Sequence, residues 1–198
     1  MKGDKGEKRK QELLKIAYRL IISKGYEETS IDEIIAEAQI AKGTFYYHFK
    51  SKEEMLEALI NMMITEQTQR AKQVLSVPLP IPQKTVAVIT SLRPNSDEAT
   101  IQDALNRKDN IAMHEKINRR IIDEAVPILS EVVAEGIAQG ILDCDNINER
   151  VRMILIISSD MFNHASFTSA DIDVFIDTVE KILGAKKDTF GFIRQLIR

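Results

Sequence analysis

The sequence predicts an all-α protein: an N-terminal unit of three helices in residues 1–51, then a larger helical body in residues 52–198. Two patterns predict it. Apolar residues recur at spacings of three and four along most of the chain, and no run alternates regularly enough to form a strand. The stretch over residues 29–56, TSIDEIIAEAQIAKGTFYYHFKSKEEML, reads as two short helices joined by a tight turn and followed by the start of a long helix.

In order along the chain, residues 1–6 are expected to fray. A first amphipathic helix follows over residues 8–23, with Leu13, Ile16, Ala17, Leu20 and Ile21 on one face. Gly25 ends it, as a left-handed residue after a helix commonly does, and Tyr26 is expected to pack back onto the bundle. Ser30 with Glu33 three positions on makes a capping box for a helix over residues 30–38, whose apolar face is Ile31, Ile34, Ile35 and Ala38. The turn falls near Gln39, Ile40 and Ala41, and a polar, aromatic helix occupies residues 42–48. Ser51 with Glu54 is a second capping box, opening a helix from Lys52 to about Leu75.

The run SVPLPIP then forbids helix. Helices are expected over residues 83–92, stopped by Arg93, Pro94 and Asn95, and around residues 100–106. Residues 109–139 keep a long helical period in which Pro127 removes one backbone bond and should kink or split the helix. Gly140 ends it. Asn146 with Glu149 reads as a capping box for residues 147–165, Ser169 as the cap of residues 171–183, and Gly184 as their stop. A last helix is expected over residues 187–197.

A chain of 198 residues with 44% apolar content can bury a proper core. No apolar run is long enough to span a bilayer, and the charged start MKGDKGEKRKQE has no apolar signal core behind it. Cys144 is the single cysteine, which excludes an internal disulfide and a cysteine zinc site. A cytoplasmic protein with no membrane partner is expected. The net charge of −3 is unevenly spread. Residues 1–52 hold 11 Lys and Arg against 8 Asp and Glu (+3), and the remainder 16 against 22 (−6). A basic end beside an acidic body suits a protein that offers one face to nucleic acid, although an excess of three is small.

Within residues 42–48 lie Lys, Thr, two Tyr and His, few of them natural core residues, so this helix is expected to turn its polar side toward a partner. A helix laid in the major groove needs small residues where backbone meets DNA, with donors and acceptors around them. Gly43 permits close approach. Lys42 can reach phosphate or the O6 and N7 of guanine. Thr44 offers a methyl and a hydroxyl, and the Tyr46 phenol and Tyr47 ring can span backbone and base edge. His48 and Lys52 lie where they can grip phosphates, and Lys8, Arg9 and Lys10 form a further basic cluster. Phe45 and Phe49, four apart, face the other way and are expected in the core.

The segment KGTFYYHFKSK, preceded by TSIDEIIAEAQIAKG, resembles the DNA-binding region of the TetR (tetracycline-repressor-like) transcriptional regulators over about residues 25–56. The remaining helices agree with that family in layout. Two positions depart from its pattern. Gln39 stands where the family usually has Gly, at a cost of about 1 kcal/mol if left-handed. Ala41 stands where Ser or Thr is frequent, so a side-chain cap worth about 1 kcal/mol is absent. The resemblance implies DNA contact at Lys42, Gly43, Thr44, Tyr46, Tyr47, His48 and Lys52, and Ser30 completes the set at the start of the preceding helix. It also implies a helical C-terminal bundle that binds a small-molecule effector and dimerises through residues 147–165 and 171–183.

Met113, His114, Met153, Met161 and Phe162 are candidates to line an apolar effector pocket, because Met adapts to varied ligands; ordinary core serves each of them as well. Asp160 and His164 stand four apart, a ligand-compatible spacing that more often marks a local hydrogen bond, and no metal or cofactor is expected. No nucleophile, base and orienting group stand out together, and phosphate-binding glycine motifs are absent. The expected function is a ligand-responsive, homodimeric DNA-binding regulator, in the sense of a repressor released from a palindromic operator. Two alternatives stay open: a regulator whose body binds a protein partner, and an all-helical enzyme.

Overall fold

The computed structural model describes residues 2–93, 98, 101, 111–163 and 168–195, and among them every regular element is helical. The α-helices are α1 (Lys2–Lys24), α2 (Ile31–Glu37), α3 (Lys42–His48), α4 (Lys52–Leu75), α5 (Ile81–Leu92), α6 (Ile111–Ala138), α7 (Ile147–Asn163) and α8 (Ser169–Ile182), followed by a 3-10 turn at Gly191–Gln195. The helix expected over residues 100–106 lies outside the described residues. The chain divides into two compact units, Met1–Glu66 with Pro94–Ile117, and Gln67–Arg93 with Asn118–Arg198.

In the first unit α1 begins at Lys2, so most of the segment expected to fray is helical. The Arg9–Glu12 pair at 2.8 Å and the Gln11 amide donating to Glu7 at 3.1 Å support its exposed first turns, each by a few tenths of a kcal/mol (~0.2–0.5). Gly25 stops the helix at φ 89°, its N–H reaching the Ile21 carbonyl at 2.7 Å. Thr29 is fully buried and donates its hydroxyl to the Gly25 carbonyl at 2.8 Å, which fixes the corner between α1 and α2. The Ser30–Glu33 capping box is formed in both directions. Gln39 occupies the left-handed region at φ 52°, and Ala41 caps α3 with no side-chain bond, so both departures from the family pattern carry their structural cost. Ser51 accepts the Glu54 N–H, while the Glu54 carboxylate reaches back to the N–H of Lys50, one residue beyond the usual box. Leu13, Ala17, Ile21, Ile34, Phe45, Phe49, Met55, Leu56 and Leu59 are buried here, and α2 packs on both α1 and α3.

The second unit departs from the sequence expectations at its element ends. Helix α5 begins at Ile81, not at residue 83, because Pro82 lies in the first turn, where a missing N–H is not needed. Helix α6 runs unbroken through Pro127, which was expected to kink or split it. Pro127 and Asp123, whose carbonyl loses its partner, both lie on the exposed face, while Ala125, Val126, Ile128 and Leu129 are buried around them. Packing on the inner face therefore outweighs a local cost of about 3 kcal/mol. Asn146 sits at φ 47°, so it is a left-handed turn residue and lacks the extended backbone of a capping box. The cap of α8 is Thr168, not Ser169, and its box is closed by Asp171.

Of the last helix expected over residues 187–197, the described residues form only the 3-10 turn, and residues 196 and 197 lie outside them. Its predecessor is pinned by Glu180, a buried carboxylate whose two oxygens accept the N–H groups of Asp188 at 3.0 Å and Phe190 at 2.9 Å. Those bonds hold Asp188 at φ 69°, a conformation no α-helix contains. Lys84 is a second buried charge, donating to Glu135 at 2.6 Å and to the Leu75 carbonyl at 3.3 Å, so it ties the end of α4 to α5 and α6. Glu180→Gln replaces one acceptor oxygen with an N–H donor facing a backbone N–H. A loss of about 1–3 kcal/mol is expected in a urea or thermal melt, with the helical circular-dichroism signal at low temperature retained.

Candidate nucleic-acid interface and an apolar cavity

Helix α3 is seven residues long, too short to hold itself together in water. Phe45 and Phe49 hold it: both are buried, with ring centroids 5.6 Å apart, and each contributes about 1.5–3 kcal/mol of burial. The opposite face is open. Tyr47 is 82% exposed and Tyr46 45%, with the Tyr46 ring edge-on to Phe45 at 5.5 Å. Lys42 is exposed and pairs with Asp32 at 3.2 Å, a solvent-screened contact that a phosphate can replace at little cost. A Cβ on Gly43 would meet nothing within 4 Å, so nothing inside the chain requires glycine there. Thr44 is half-buried, its N–H closing the first turn on the Ala41 carbonyl at 2.8 Å.

The flanking groups are more engaged. Ser30 is exposed, but its hydroxyl donates to Glu33 at 2.9 Å and accepts the Glu33 N–H, so capping already uses it. The Glu33 carboxyl is held at about 2 by the Lys24 ammonium and the Ser30 bonds, which keeps the cap ionised. His48 is half-buried. Burial, then Lys10, pushes its imidazole below the usual histidine value against the opposing pull of Glu7. The Lys52 ammonium lies 4.1 Å from the Tyr26 ring centre and donates to the Glu27 carbonyl at 3.2 Å. That places it beside the end of α3 in a fixed position. Burial, with Glu53 and Glu27 nearby, pushes the Tyr26 phenol well above its ordinary value, and its hydroxyl has no hydrogen-bond partner.

The second unit encloses a cavity of about 520 Å³ between α5, α6, α7 and α8, in the size range of small-molecule sites. Its walls are mainly apolar, with Ile89, Leu129, Val133, Ile154, Leu155 and Phe175 among them. Of the residues singled out in the sequence as pocket candidates, Met153 is exposed on the outer face of α7 and Met161 is half-buried against the unit's core; neither lines this cavity. Met113, His114 and Phe162 lie on α6 and α7, with side chains outside the described set, as is His164. Among the described residues no three His, Cys, Asp or Glu side chains converge as a metal site would require, and no helix is long and apolar enough to cross a membrane. Sequence spacing singled out none of the wall residues Val133, Leu155 and Phe175. It held no signal for an empty space opposite them, since helical period records which face leaves water and not what that face meets.

Residues 13–59 match the family model of bacterial regulatory proteins of the tetR family. The transcriptional repressor KstR2 of Mycolicibacterium smegmatis is 27% identical over 152 residues, 73% of this chain and 74% of that protein. RolR in complex with resorcinol shares the fold with a TM-score of 0.63 at 18% identity, covering 98% of this chain and 95% of its own. The regulator FadR of Bacillus subtilis in complex with stearoyl-CoA does so with a TM-score of 0.55 at 20% identity, over 87% of this chain and 97% of its own. Residues 13–59 are therefore a tetR-family DNA-binding domain, and the chain as a whole is similar in sequence and fold to TetR-family transcriptional regulators.

Proposed function

We propose that the protein is a homodimeric repressor that binds a pseudo-palindromic operator and is released by a small-molecule effector. Residues 1–51 read DNA, and residues 52–198 hold the effector and the dimer contact. The division of α3 into a buried Phe45–Phe49 face and an open face of Lys42, Gly43, Tyr46 and Tyr47 carries the DNA-reading part. The cavity supports an effector, and a repressor (KstR2) and ligand-bound regulators (with resorcinol and stearoyl-CoA) among similar proteins agree with this reading. Helix α4 contributes residues to both compact units and is the natural lever between them. An effector that prefers the conformation with wrongly spaced reading heads lowers operator affinity by its differential affinity for the two states, and by no more.

The dimer contact is placed on α7 and α8. Met153, Ile156 and Ile157 stand at helical spacing on the outer face of α7, and Val174 is exposed on α8. Exposed large apolar groups gathered on one helix face are a mark of an interface, and a two-fold axis would pair the stripe with itself. Ile156→Asp places two charges on that axis. Sedimentation should then show dissociation at micromolar concentration with helix content unchanged; a wild-type protein that is already monomeric would instead favour a different protein partner for this face.

Gly43→Val is expected to abolish specific operator binding while melting temperature and oligomeric state stay within error. A side chain at residue 43 meets nothing in the protein, and Val is no worse than Gly in a helix, so only approach to the groove is blocked. A shift titration against the promoter DNA beside a thermal melt separates the two effects, and full retained affinity would place the reading surface elsewhere. Lys52→Ala is expected to weaken binding to all sequences alike and to reduce the salt-dependence slope by about one per lost phosphate contact. Titrations at several salt concentrations on specific and scrambled DNA check this, and a change in sequence preference would refute the phosphate role.

A further inference from the structure

Among the described residues that line the cavity of the second unit, Arg93 is the one with a charged side chain. It follows the last turn of α5 and is solvent-exposed, so its guanidinium stands where the cavity meets water. Among the described residues no carboxylate pairs with it and none that lines the walls is acidic. A cationic ligand would therefore find no counter-charge there and would face a fixed positive one. An anionic group at the mouth would gain a charge-assisted hydrogen bond to a planar, five-donor partner.

The other polar groups sharpen the argument. The Thr85 hydroxyl donates to the Ile81 carbonyl at 2.8 Å and the Ser158 hydroxyl to the Leu155 carbonyl at 2.9 Å. The Ser159 hydroxyl donates to the Asn118 side-chain oxygen at 2.9 Å. All three hydroxyls donate their protons inside the protein. With those protons in use, the deep wall between α5 and α7 offers an anion no hydroxyl donor from these residues, which leaves Arg93 at the mouth as its partner. Thr90 also lines the cavity, and its carbonyl accepts the Arg93 N–H at 3.1 Å, which ties the two residues together at the end of α5. The interior beyond is hydrocarbon, contributed by Leu129, Val133, Leu142, Ile154 and Phe175.

We propose that this cavity binds an amphipathic monoanion, an extended apolar body carrying one carboxylate, with the apolar end inside and the carboxylate on Arg93. The proposal rests on the reading of the cavity as the effector site and names the chemistry of its ligand. Its test uses three probes of equal chain length, decanoate, decanol and decylamine, titrated calorimetrically into the full-length protein and into Arg93→Gln. Arg93 is exposed, so the variant should melt as the wild type does. The expected result is decanoate binding at least tenfold tighter than decanol or decylamine to the wild type, with that preference lost in Arg93→Gln and decanol binding unchanged. Decanol or decylamine binding as tightly as decanoate, or a preference for decanoate that survives Arg93→Gln, would overturn the carboxylate–Arg93 assignment while keeping the cavity as an apolar effector site. Binding of none of the three would overturn both the ligand class and the reading of this cavity as the effector site.

Discussion

The reading end of this protein depends on two phenyl rings. Helix α3 has no side-chain cap at Ala41, follows a left-handed Gln39, and is seven residues long. Each of these disfavours a helix, and nucleation alone would keep so short a segment unfolded. Phe45 and Phe49, one turn apart and wholly buried, reverse that balance. Because they fill one face, they also fix rotation about the helix axis. Tyr46 and Tyr47 cannot both turn inward, and Gly43 cannot turn away from solvent. Stability and orientation thus come from the same contact, and the chemistry of the outer face is left free of any structural task.

The elements legible in the sequence were those whose ends are set by local chemistry. Ser30 with Glu33 and Ser51 with Glu54 marked the starts of α2 and α4, and Gly25, Gly140 and Gly184 marked stops, because a cap or a left-handed residue is a property of three or four neighbours. Where two residues could do the same job, the sequence did not decide. Thr168 and Ser169 both carry hydroxyls, and backbone geometry made the first of them the cap. Asn146 can cap a helix or occupy a left-handed turn, and it does the second. Pro127 looked like a break, yet its ring lies on the water side of α6 with packed residues on the other.

The candidate sites divide the same way. The open face of α3 was readable because one helix with two aromatic core residues and several polar ones has few ways to orient. The cavity was not, because it is a relation among four helices far apart in sequence. Methionine chemistry pointed to Met153 and Met161, whereas the wall is built of branched aliphatic residues and Phe175, with Arg93 at its rim. In the sequence Arg93 reads only as part of a helix stop, a backbone role that says nothing of what its side chain borders.

The loop before α7 and the end of α8 meet backbone to backbone. Gly184, at φ 62°, sits so close to Asp143 that a Cβ there would fall 1.9 Å from the Asp143 carbonyl oxygen, and the Asp143 N–H bonds the Leu183 carbonyl at 3.0 Å. The junction of the two helices is therefore written in main-chain atoms, one glycine and the Arg150 guanidinium, which donates to the Ile182 carbonyl at 2.6 Å and to the Asp145 carbonyl at 2.7 Å. Apart from Arg150, side chains on either face of α7 and α8 lie outside this junction. Such a frame lets the cavity wall and the outer face of these helices vary by separate small steps.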